Sequence, residues 1–61
     1  MGMEIKVLAV ENGVHNELVL TREQYKNLKD QNYFLHGNQV YHYGRMDLQM
    51  NCLTIYVSPE K

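Results

Sequence analysis

On either side of Asn12-Gly13, apolar and polar residues alternate with a period of two. That period marks a strand, whose successive side chains point to opposite faces. Asn-Gly is a strong signal for a two-residue hairpin loop, because a type I′ turn needs positive φ at both central residues. Such a loop sets Glu11 opposite Val14, Val10 opposite His15, Ala9 opposite Asn16, Leu8 opposite Glu17 and Val7 opposite Leu18. One face then gathers Ile5, Val7, Ala9, Leu18 and Leu20, a core set. The other gathers Lys6, Leu8, Val10, His15, Glu17 and Val19, mixed but apolar for a solvated surface.

The period changes at Thr21. Thr21-Arg22-Glu23-Gln24 fits a capping box, with Thr21 as N-cap and Gln24 reaching back from the third helical position. A short helix over Arg22–Gln31 follows, free of Gly and Pro, with an apolar stripe of only Tyr25 and Leu28. Two anchors on one short helix do not offset the cost of nucleation, so this helix must lie on the sheet.

Beyond the helix, Gly37-Asn38 and Gly44-Arg45 predict two further tight turns. The first sets Leu35 opposite Val40, Phe34 opposite Tyr41 and Tyr33 opposite His42. The second sets Tyr43 opposite Met46, His42 opposite Asp47 and Tyr41 opposite Leu48. One face collects Phe34, Tyr41, Tyr43, Met46 and Leu48 and is expected to be the core under the helix. The apolar parity then switches, from Met46, Leu48 and Met50 to Leu53, Ile55 and Val57. A bulge or turn near Asn51-Cys52 restores the phase, unless the end of the strand buries its second face. Pro59 is expected to end the pairing and residues 59–61 to form a tail. The fold class is therefore α+β, a small, mostly antiparallel sheet with one short helix, in the order ββαβββ or ββαββ. It forms a single domain over residues 3–58, with Met1-Gly2 read as an addition ahead of a natural start at Met3.

Composition sharpens this picture at one point. The chain has 61 residues, 44% of them hydrophobic, with six Lys and Arg against seven Asp and Glu. A chain of this length buries only about 60% of the surface its unfolded form exposes. Cys52 is the one cysteine, so no disulfide within the chain makes up the difference. No run approaches the ~20 apolar residues of a membrane span, and no basic segment leads into an apolar stretch as in a signal peptide. With a free thiol, these features lead to a cytoplasmic expectation without membrane contact. Burial against a partner is a common way for a small domain to gain stability. The face away from the helix, with Leu8, Val10, Val19, Tyr33, Leu35 and Val40, is the predicted interface, and a homodimer the predicted state.

Candidate chemistry is sparse. His42 opposite Asp47 has the form of an oriented general base, but no nucleophile accompanies it, and a surface cross-strand pair accounts for it as well. Cys52 with His36 or His42 lacks the close ligand pairs of a zinc site. The glycines stand singly at turns, so no phosphate-cradling loop is present. No catalytic residue, metal or cofactor is assigned. Arg22, Lys26 and Lys29 share one helix face, and with Arg45 and an exposed tyrosine they form the alternative, a nucleic-acid-binding module. Glu23 and Asp30 flank that stripe and weaken its field. The leading expectation is a non-enzymatic protein acting through protein–protein contacts, of the regulator, adaptor or inhibitor type, including those carried by phages and mobile elements.

Overall fold

A computed structural model describes residues 2–60. The described residues run β1 (Glu4–Glu11), β2 (Val14–Leu18), α1 (Arg22–Gln31), β3 (Tyr33–His36), β4 (Gln39–Gln49) and β5 (Cys52–Pro59). This is the ββαβββ order of a small α+β domain. Met1 and Lys61, which belong to the expected leading addition and tail, lie outside the described residues.

The first two hairpins form in the expected registers. Asn12 and Gly13 both adopt positive φ, at 53° and 79°, and β1 pairs with β2 from Glu11↔Val14 to Val7↔Leu18. β3 pairs with β4 through Leu35↔Val40, Phe34↔Tyr41 and Tyr33↔His42. The capping box is also present. Thr21 Oγ1 accepts from the Gln24 backbone N–H at 3.2 Å, and Gln24 Oε1 accepts from the Thr21 N–H at 2.8 Å. Asn32 ends the helix in the left-handed conformation, φ 68°, its N–H donating to the Leu28 carbonyl.

Gly44-Arg45 is not a turn. β4 continues through it to Gln49 as one strand, and the parity switch between Tyr43 and Met46 comes from a β-bulge, where the pairing steps from Tyr43↔Val57 to Arg45↔Tyr56. The reversal falls instead at Met50-Asn51, with Gln49↔Cys52 closing the β4–β5 hairpin. β5 ends at Pro59 as expected, although Pro59 is itself paired rather than part of a tail. It lies in β5 opposite Tyr41, and the Glu60 N–H donates to the Val40 carbonyl at 2.8 Å.

β5 then pairs in parallel with β1, from Glu4↔Cys52 to Ala9↔Val57. The sheet is therefore mixed, in the order β2-β1-β5-β4-β3, with its three other pairings antiparallel. α1 follows β2 at one edge yet packs along β3 at the other. A flat five-stranded sheet is about 19 Å from edge to edge at ~4.8 Å per strand, whereas the connecting residues 19–21 reach only about 14 Å. The sheet must curl. Leu20 is drawn into the core, and the connection is tied to β3 by His36 Nε2 at 3.3 Å from the Val19 carbonyl. Gln24 Nε2 likewise donates to the Leu35 carbonyl at 2.7 Å. Inside the curl lie Val7, Ala9, Leu20, Leu28, Phe34 and Val57, with Leu18, Tyr25, Tyr41 and Ile55 against them. Phe34 and Tyr41 stack with ring centroids 5.7 Å apart.

Candidate functional site

The helix is too short for its sheet. It stops at Asn32, whose carbonyl accepts from the Tyr43 N–H at 2.8 Å, level with the middle of β4. Past that point the starts of β1 and β5 and the end of β4 project as a three-stranded extension. The Glu4 N–H donates to the Asn51 carbonyl at its far end, at 2.7 Å. Directly opposed residues share a face, so the pairs Ile5↔Leu53, Leu48↔Leu53, Val7↔Ile55 and Met46↔Ile55 define one apolar side. Glu4, Lys6, Asp47, Gln49, Cys52 and Thr54 alternate onto the other side. Each strand of the extension thus carries a polar and an apolar face, and the apolar face continues the core.

Met46 and Leu48, expected beneath the helix, are exposed there, together with Met3, Ile5 and Tyr43. Between this surface and the last turns of α1 lies a cleft of about 680 Å³, lined by Met3, Ile5, Tyr25, Leu28, Lys29, Asn32, Tyr43, Met46, Leu53 and Ile55. Lys29 is the single charged residue in its lining. Including Met50 at the hairpin tip, the exposed apolar residues retain between 37% and 96% of their accessible surface. At roughly 200 Å² for a fully exposed large side chain, this sums to about 700 Å².

On the face away from the helix the expected interface residues fall into two groups. Leu8 and Val10 are half-buried on β1, and Tyr33, Leu35 and Val40 lie on β3 and β4. β5 and β4 stand between the two groups and place Tyr56, Arg45, Ser58 and His42 there, so the six expected residues form no continuous patch. The Arg45 guanidinium sits 4.2 Å from the Tyr56 ring centroid, and His15 meets the same ring edge-on at 6.0 Å. Val19 belongs to the β2–α1 connection and is 84% exposed.

His42 does not meet Asp47. With the expected third hairpin replaced by a continuous strand, His42 lies opposite Tyr33 and Ser58, and Asp47 opposite Thr54. The partner of His42 is Glu60, with Nε2 2.7 Å from Oε1 and both side chains about half exposed. Sequence reasoning missed Glu60 because it treated residues after Pro59 as a tail, and missed Tyr56 because its neighbours come from two other strands. Among the described residues no group of three His, Cys, Asp or Glu side chains is placed to hold a metal ion. No described helix is long and apolar enough to cross a membrane. Arg22, Lys26 and Lys29 lie on α1, whereas Arg45 points from the opposite face of the sheet, so the four basic residues do not converge.

Comparison with protein-family models, with curated proteins and with solved structures gave no match to this chain.

Proposed function

We propose that the protein works by protein–protein contact, as a small non-enzymatic interaction protein of the regulator, adaptor or inhibitor type. Its working surface is the apolar face of the three-stranded extension and the adjoining cleft, rather than the face expected from sequence. One observation carries this reading: Met3, Ile5, Tyr43, Met46, Leu48 and Met50 together expose about 700 Å² around a cleft whose lining holds one charged residue, Lys29, against about 800 Å² per partner in a standard interface. The nucleic-acid alternative has less support, since its basic residues are divided between two faces and the net charge is −1.

A photo-crosslinking amino acid placed at Leu48 in the cell tests the reading against the same probe at Asp47, the neighbouring position on the polar face. Polypeptide adducts are expected from position 48 and not from 47. Equal labelling, or none at 48, overturns it.

A further inference from the structure

We propose that this surface is occupied by a second copy of the chain, packed face to face about a two-fold axis, an assignment that rests on the interaction reading above. The extension has the form of half a β-sandwich. Its outer face is polar, its inner face holds Ile5, Leu53, Met46 and Leu48, and the inner face has no second layer beyond the end of α1. Packed sheets stand about 10 Å apart and a helix is about 10–12 Å across, so a sheet from another molecule fits the layer that α1 vacates. The extension of a second copy is such a sheet. Its exposed apolar area is close to what each side of a stable dimer buries. Near-neutral net charge adds little repulsion between copies.

Met50 supplies an independent observation. It stands at the hairpin tip with φ 52° and 96% of its surface exposed. A left-handed residue in a hairpin loop is normally Asn, Asp or Gly, which adopt that conformation with less strain. Here the position holds a long, adaptable apolar side chain. In an antiparallel arrangement of two extensions, each tip reaches the helix end of the other copy, and Met50 enters the cleft beside Lys29. The residue that strains the turn is then the one that reaches the partner.

Sedimentation of the purified chain from micromolar to millimolar concentration tests this arrangement. A species of twice the 7.2 kDa chain mass is expected, with a melting temperature that rises with concentration. Met46→Asp, which acts twice across a two-fold interface, should raise the dissociation constant at least about 100-fold, whereas Leu35→Asp should leave it unchanged. Met50→Gly separates contact from folding: it should weaken the dimer while the monomer melts at the same or a higher temperature. A chain that stays monomeric with a concentration-independent melting temperature overturns the second copy. So does a dimer that is indifferent to Met46→Asp. If the Leu48 probe still yields adducts with other polypeptides in the cell, the interaction reading stands and only the second copy falls. If it yields none, both fall.

Discussion

Replacing Gly44 with alanine tests whether the bulge is a packing requirement. Gly44 does not need a left-handed backbone; a Cβ built on it would lie 3.0 Å from the Tyr56 carbonyl oxygen. That oxygen belongs to β5, which pairs on both sides, with β1 and β4. It yields less readily than a flexible side-chain end. Overpacking of this kind costs about 1–3 kcal/mol. A domain of this length has a total stability of roughly 3–9 kcal/mol at 0.05–0.15 kcal/mol per residue, so the substitution removes a sizeable share. In urea, with a slope of about 1 kcal/mol/M for a small protein, the midpoint should fall by about 1–3 M. Gly13→Ala is the matched comparison. It has φ 79° and open space around the missing Cβ, so its cost of about 1–2 kcal/mol is conformational, not steric. Both variants should be unfolded at one fixed protein concentration, because self-association adds to apparent stability. A parent-like midpoint for Gly44→Ala would show that the β4–β5 ladder accommodates a side chain there, and the steric account of the bulge would be wrong.

Phe34→Ala should leave the chain largely unfolded at 25 °C by circular dichroism, since emptying this 1% exposed site costs about 3–5 kcal/mol. Thr21→Ala removes one half of the capping box and should lower stability by about 1 kcal/mol, read as a fall of about 4–8 °C in melting temperature. Glu60→Ala removes the His42 contact, in which the two side chains are 46% and 56% exposed, and should change stability by less than about 1 kcal/mol. A larger loss would mean that the last residues anchor β4 more strongly than an exposed pair does.

The two hairpins nearest their glycines were legible in the sequence because each is closed locally. Asn12-Gly13 and Gly37-Asn38 set which residues oppose one another without reference to the rest of the chain. The capping box placed the helix for the same reason. Gly44 was not legible. A change of parity between Tyr43 and Met46 is produced equally by a hairpin, which folds the strand back, and by a bulge, which lets it continue. Either keeps Tyr41, Tyr43, Met46 and Leu48 on one face, so the face was read correctly while the connectivity was not. The expected interface residues of the far face fall into two groups for a related reason, since a continuous patch assumed neighbouring strands that β5 in fact separates.

By itself the sequence determined the first hairpin, the helix with its cap, the β3–β4 register and which side chains share a face, all of which depend on spacing along the chain; where β4 ends and which of those side chains are covered it did not determine. The parallel pairing of β1 with β5 joins residues roughly fifty positions apart, and no local signal encodes a pairing closed only by the whole fold. That pairing put β5 at the centre, curled the sheet over Phe34 and divided the expected interface. The same tertiary decision carried the ends of three strands past the last turn of α1, so the apolar surface left without cover lies on the helix side of the sheet.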